Sequence, residues 1–202
     1  SDVAHRSDDP KEREAADDHM GLLTPVIKGV LTDQGFANAV AAQQMFGGHG
    51  FVVETGVEQF VRDARITMLY EGANGIQALD LVGRKLPANG GRAIMSWFAD
   101  IDAFVGENGD DEAIKPFVEG LADAKKKLQE ATMWLMQNGL QNPDNAGAAS
   151  TDYMHLFGLV ALGYMWGRMA KIAQDKIAAG ANGQAEFLEK KLVTARFYMD
   201  RI

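Results

Sequence analysis

Nearly every stretch of this 202-residue chain repeats its apolar residues at three- and four-residue spacing, the period of one face of an α-helix. Leu22, Leu23, Val26, Ile27, Val30 and Leu31 form one such stripe, and Phe117, Leu121, Ala124, Leu128 and Leu135 form another. No β-rich region interrupts the pattern. Apolar stripes leave the water only by packing on one another, so the chain reads as all-α, a set of helices built as bundles.

The punctuation divides the pattern. Pro10 suits the first turn of a helix behind Asp8-Asp9, where acidic groups favour the positive helix end. Pro25 falls inside the first stripe and predicts a kink. Thr32-Asp33 predicts the cap of a second helix through Phe36, Ala39 and Val40, ending at Gly47-Gly48. Glycine-punctuated short pieces follow, with a short helix over Val57–Arg65 and then a brief extended stretch. The next helix, from about Gly75 to Leu86, has Ile76, Leu79, Val82 and Leu86 on one face. Pro87-Ala88-Asn89-Gly90-Gly91 reads as the clearest linker and places a boundary between residues 1–88 and 89–202. Beyond it come four helical blocks separated by Gly106–Asp110, Gly139–Asn145 and Gly180–Gly183. Within them Leu156–Gly167 is apolar on all sides, which predicts a helix in the middle of a bundle. Its Gly158, Gly163 and Gly167 let neighbours approach closely.

Charge and length exclude several roles. Twenty basic against 28 acidic residues leave a net charge of -8, which repels phosphate backbones. The tight basic runs, Lys125–Lys127 and Lys190-Lys191, read as solvated helix faces, so nucleic acid is not an expected partner. Leu156–Gly167 is well short of the ~18–20 apolar residues that span a bilayer, so no membrane span is expected. The absence of cysteine removes disulfides, thiolate zinc sites and thiol nucleophiles, and fits a cytoplasmic protein. The chain opens Ser1-Asp2-Val3 without an apolar leader, and Ala195–Ile202 is still strongly helical with no stop signal. Both ends read as those of a piece of something longer.

Chemistry concentrates between Gln43 and Lys85. Gly47-Gly48-His49-Gly50 offers backbone amides unobstructed by side chains, as an anion-binding turn requires, or is simply a connector. His49 stands alone, without a second ligand at metal spacing, so no metal site is expected. In Tyr70-Glu71-Gly72 a carboxylate sits beside apolar residues; such surroundings raise a carboxyl pKa toward that of a general base. The alternative is a glutamate that caps the following helix. Arg62, Asp63 and Arg65 nearby suit structural ion pairs.

As one string the pieces are more specific. Gln44-Met45-Phe46-Gly47-Gly48-His49-Gly50-Phe51, then Val57–Ile66 (VEQFVRDARI), then Leu69-Tyr70-Glu71-Gly72-Ala73-Asn74-Gly75-Ile76-Gln77, resembles the acyl-CoA dehydrogenase family. The likeness is to its C-terminal helical domain and covers about Leu22 to Leu86. The continuation Ala78–Leu86 and the helices after it resemble a long bacterial branch with an added C-terminal bundle, which includes 3-methylthiopropanoyl-CoA dehydrogenases. The resemblance implies an FAD enzyme that converts an acyl-CoA to a trans-2-enoyl-CoA. It places Glu71 as the base that takes the α-proton while hydride leaves for N5 of FAD, and the Glu71 amide as a donor to the thioester oxygen. It implies FAD contacts at Gln44, Gly47 and Gly48, reaching a neighbouring subunit's site, and at Ala73 and Gly75. Tyr70 would line the acyl pocket and Gly72 would let the chain pass close to substrate. Ala73 departs from the family, which commonly has threonine there, so one side-chain bond to the cofactor is missing. An electron-transferring flavoprotein is the implied electron acceptor, and a homodimer or homotetramer the implied assembly. The competing reading is a non-catalytic helical interaction or oligomerisation module.

Overall fold

A computed structural model describes residues 2–139, 141–180 and 183–201, and every regular element among them is helical. The middle of the expected 180–183 turn, Leu140 in the 139–145 turn, and Ile202 at the helical end lie outside the described residues. In chain order the α-helices are α1 (Asp2–Arg6), α2 (Pro10–Met45), α3 (Val57–Thr67), α4 (Asn74–Asp80), α5 (Arg92–Asn108), α6 (Lys115–Asn138), α7 (Pro143–Ala178) and α8 (Ala185–Arg201). None of them is long and apolar enough to cross a membrane.

The described residues form two compact units. The first runs to Ala93 and takes back Leu135–His155; the second comprises Ile94–Trp134 and the residues from Leu156 onward. In the first, α2 is the axis. Asp9 caps it by accepting from the Lys11 amide (2.8 Å), and Pro10 opens it, as the sequence predicts. The helix then continues for 36 residues through both expected interruptions. Pro25 is accommodated within it. Thr32 and Asp33 begin no new helix, because their side chains have other partners: the Thr32 hydroxyl donates back to the Lys28 carbonyl (2.6 Å), and Asp33 is engaged by residues distant in sequence. The first stripe is also divided. Leu22, Val26 and Val30 are buried, whereas Ile27 and Leu31 are exposed.

After α3, whose residues are all at least partly exposed, the chain turns and enters α4. The helix expected as far as Leu86 changes pitch: Leu81–Lys85 is a π turn, closed by the Leu86 amide on the Leu81 carbonyl (2.8 Å). The wider turn rotates the register, so Ala78, Leu81, Val82 and Leu86 are the buried positions, while Ile76 and Leu79 face out. Pro87–Gly91 is a compact turn with positive φ at Asn89, Gly90 and Gly91. Immediately after it Arg92 forks onto Asp18 (2.6 and 3.0 Å) and reaches Glu14 (2.8 Å), tying the start of α5 to α2.

The second unit is packed around aromatic and branched side chains. Ile94, Trp97, Phe98 and Ile101 of α5, Phe117, Val118, Leu121 and Leu128 of α6, and Phe157 and Val160 of α7 are buried, with Trp97 and Phe157 rings 4.6 Å apart. Gly167 admits the Phe104 ring; a Cβ there would meet it at 3.1 Å. The Leu156–Gly167 segment is not enclosed on all sides, since Met165 is exposed while Phe157, Val160, Gly163 and Gly167 lie on the covered face. The basic runs are likewise only partly solvated. Lys125 pairs with Asp102 (2.8 Å) with its ammonium over the Phe98 ring, and the Lys191 ammonium lies over Trp166 and Phe187.

Candidate active site

The turn between α3 and α4 passes through two consecutive residues of positive φ. Glu71 adopts φ +56°, in the left-handed region that costs a residue with a Cβ about 1–2 kcal/mol. Gly72 follows at φ +84°, where a Cβ would lie 2.9 Å from Gln77 Nε2, so only glycine passes without displacing that side chain. Surrounding bonds hold the turn. Gln77 Nε2 donates to the Glu71 carbonyl (2.9 Å), Lys28 Nζ donates to the Gly72 carbonyl (2.8 Å), and the Asn74 amide donates to the Met68 carbonyl (3.2 Å).

What the turn leaves open bears on chemistry. Among the described residues the Glu71 carboxylate accepts no hydrogen bond and its backbone N–H finds no acceptor. One residue therefore presents a free carboxylate and a free amide together. Ala73 precedes α4 without a side-chain cap, and Glu71 does not supply one, so the capping role considered for Glu71 is not the one it has here. The apolar enclosure expected around Glu71 is also not provided by this chain: Tyr70, Glu71, Gly72 and Ala73 are all exposed. Tyr70 stands beside Leu69, which is exposed as well.

The expected cofactor-contacting residues fall into two groups. Gln44, Gly47 and Gly48 are exposed at the far end of α2 and in the turn after it, with Gly47 at φ +59°. Ala73 and Gly75 flank Asn74, which docks against Gly29, Thr32 and Asp33 in the middle of α2. Twelve residues of helix at 1.5 Å each separate Thr32 from Gln44, about 18 Å, so this chain does not gather the two groups into one pocket. Both groups present bare backbone. A Cβ added at Gly47, Gly48 or Gly75 meets nothing within 4 Å, which fits close approach by a large flat or anionic group. Gly50 differs: a Cβ there would lie 2.4 Å from the Gln43 carbonyl, so its role is packing of the turn.

Several residues that hold this site lie outside the motif that marks Glu71. Lys28, Thr32 and Asp33 converge on Asn74, and His155 holds Asp33; of these only Asn74 lies inside the Gln44–Gln77 string. A polar residue on the covered face of an amphipathic stripe is the one cue that marks Asp33 or Lys28. The expected ion pairs of Arg62 and Arg65 with Asp63 do not form among the described residues; Asp63 accepts from Gln59 (2.6 Å), and Arg65 lies over the Phe36 ring.

Residues 4–86 match the family described as acyl-CoA dehydrogenase, C-terminal domain, and residues 97–202 match the family described as acetyl-CoA dehydrogenase C-terminal like. The chain is 36% identical over 195 residues to a 3-methylmercaptopropionyl-CoA dehydrogenase of Ruegeria pomeroyi, covering 96% of this chain and 33% of that protein. It is 31% identical over 184 residues to a broad-specificity linear acyl-CoA dehydrogenase of Mycobacterium tuberculosis, covering 88% and 30%. A butyryl-CoA dehydrogenase of Syntrophomonas wolfei is 30% identical over 200 residues, covering 98% and 33%. The chain thus spans about a third of the length of the curated relatives it matches. With the two matches in this order along an all-helical chain, it belongs to the acyl-CoA dehydrogenase family and carries that family's C-terminal helical domain followed by its C-terminal-like region.

Proposed function

We propose that this chain is the C-terminal part of an FAD-dependent acyl-CoA dehydrogenase in which Glu71 removes the α-proton of the acyl thioester. The observation that carries the proposal is the Glu71 turn, where a free carboxylate and a free backbone N–H sit on one left-handed residue braced by Gln77 and Lys28. An α-proton of a thioester is weakly acidic, so its removal needs a fixed base and a donor to the oxygen on which negative charge develops. The Glu71 carboxylate takes the proton as the α C–H bond breaks. The Glu71 N–H donates to the thioester oxygen. The β C–H pair then departs as hydride and the α,β double bond forms. FAD, which this family uses, supplies the hydride acceptor when bound. Ala73 and Gly75 would hold the flavin beside Glu71, and Gln44, Gly47 and Gly48 would meet the cofactor of a neighbouring subunit.

The exposure of this region supports an incomplete site. Phe51, Phe60, Val53 and Met45 are each at least 70% exposed, and the residues expected to face the acyl chain are open. In this reading the remainder of the enzyme encloses the surface around Glu71 that this chain leaves open. The isolated chain then binds no stoichiometric FAD and has no dehydrogenase activity; a purified chain that is yellow with one flavin per molecule overturns that. In the intact enzyme, Glu71→Gln keeps its flavin and lowers the anaerobic bleaching rate by an acyl-CoA by about 10³-fold. Unchanged bleaching removes Glu71 from the role of base.

Residues 1–88 are then the family's helical domain and 89–202 an appended bundle, with an electron-transferring flavoprotein as acceptor. The bundle acts as an interaction module that covers the surface used for tetramer contacts in shorter relatives, leaving a homodimer. Sedimentation of the intact enzyme with and without the extension tests this, and a tetramer with the extension in place overturns it. If the whole chain were instead a non-catalytic interaction module, joining it to the family's N-terminal part would recover no flavin.

A further inference from the structure

We infer that His155 and Met154 of α7 are positioning residues for the Glu71 turn, acting through Asp33, Gly29 and Asn74. The inference rests on the reading of Glu71 as the base. It concerns what holds that base in place.

Asn74 is the centre of the arrangement. Its Oδ1 accepts from Lys28 Nζ (2.6 Å), and the same ammonium donates to the Gly72 carbonyl. Its Nδ2 lies 2.7 Å from Asp33 Oδ1, 2.9 Å from Thr32 Oγ1 and 3.1 Å from the Gly29 carbonyl. The single Thr32 hydroxyl hydrogen is directed to the Lys28 carbonyl, so toward Asn74 that oxygen accepts. The bonds thus fix the orientation of the Asn74 amide. One of its ends shares a cation with the Gly72 carbonyl, and the other is held by the turn of α2 from Gly29 to Asp33.

The same turn is also held by two consecutive residues of α7. Asp33 Oδ2 lies 2.9 Å from His155 Nε2; a carboxylate only accepts, so Nε2 carries the hydrogen. The two Asp33 oxygens are therefore divided between Asn74 and His155. Met154 lies against Gly29, where a Cβ would come within 2.5 Å of its Sδ and Cε. Met154 is fully buried, and His155 is 122 residues from Asp33 in sequence. Removing His155 frees Asp33 to turn toward solvent, and Asn74 then loses its shortest acceptor. The Gly72 carbonyl keeps Lys28, but Lys28 no longer has a fixed second partner.

The test compares His155→Leu with His155→Gln in the intact enzyme, because a glutamine Nε2–H can still reach Asp33. His155→Leu is expected to keep its flavin content and acyl-CoA affinity within about twofold, and to slow single-turnover flavin bleaching about tenfold. His155→Gln is expected to recover most of that rate. Wild-type bleaching in His155→Leu, or an equal loss in both variants, overturns the inference. If His155→Leu does not fold, hydrogen exchange in the 202-residue chain carries the test. The Asn74 side-chain amide and the Asn74 main-chain N–H are then protected, and Asp33→Asn reduces that protection at least tenfold. Exchange at the free-amide rate in the wild type, or no change in Asp33→Asn, overturns it. Glu71→Gln separates the two readings. Bleaching that survives Glu71→Gln removes the base assignment and leaves the exchange result to judge the bracing. Bleaching lost in Glu71→Gln but untouched in His155→Leu removes only the bracing.

Discussion

The bundle unit and the stretch from the middle of α2 through α4 draw on the same kinds of residue and use them oppositely. In the bundle, Ile94, Trp97, Ile101, Leu121, Leu128 and Phe157 are buried. Between Ile27 and Leu79, by contrast, Ile27, Leu31, Met45, Phe46, Phe51, Val53, Phe60, Ile66, Leu69 and Ile76 are exposed. A fully buried side chain of this size contributes roughly 1.5–3 kcal/mol relative to an exposed one. The bundle therefore carries its own stability, while the region around Glu71 keeps apolar surface available. The Glu71 turn is held by hydrogen bonds rather than by enclosure.

The largest effect that sharpens this contrast is Phe157→Ala. It should destabilise the isolated chain by about 3–5 kcal/mol through loss of a filled core position, whereas Phe60→Ala should change stability by no more than about 0.5 kcal/mol. Chemical denaturation of the two variants measures both, and comparable losses would erase the distinction. A smaller effect comes from Tyr198, whose hydroxyl donates to the Leu159 carbonyl (2.9 Å) inside the bundle unit. Burial pushes its phenol up to about 12, so the folded bundle prefers the neutral form. Its contribution is complete below the ordinary phenol range near 10. It is lost as pH rises through about 12. Thermal melts of wild type and Tyr198→Phe should differ by about 1 kcal/mol at pH 9 and converge in that alkaline window; a constant difference contradicts it.

A comparable effect at neutral pH is expected from the cap of α2. Asp9→Ala removes the acceptor of the Lys11 amide and should cost about 1 kcal/mol, read from the denaturation midpoint. The smallest effect has the opposite sign. Glu71→Gly relieves a left-handed residue and should stabilise the isolated chain by roughly 0.5–1 kcal/mol while removing the proposed base. A destabilised Glu71→Gly would mean that the side chain contributes contacts of its own.

Much of the architecture is legible in residue order. The apolar period marks the four long helices after Pro87 and the start of α2, because that spacing has the same meaning wherever a stripe is covered. Asp9-Pro10 opens α2 as expected, since a cap is satisfied by its own neighbours. The expectations that failed involve partners at a distance. Thr32-Asp33 has the composition of a cap, yet its side chains serve tertiary bonds and α2 runs on. The π turn at Leu81–Lys85 moves the buried face off Ile76 and Leu79 without a proline to announce it.

For the site, the string from Gln44 to Gln77 marks Glu71, its glycine and the bare-backbone turns. The left-handed conformation of Glu71 and its bracing were not readable from that string. His155 and Asp33 are 122 positions apart, and neither is unusual in its local setting. By itself the sequence determined the helical period, the punctuation and the ordered motif that places the chain in its family, because those depend on neighbours within a few residues. The tertiary structure alone decided which half of each stripe is covered, that α2 is continuous, and that α7 grips the turn of α2 which holds Asn74. A hydrogen bond to a distant partner leaves the same local pattern as a bond to water.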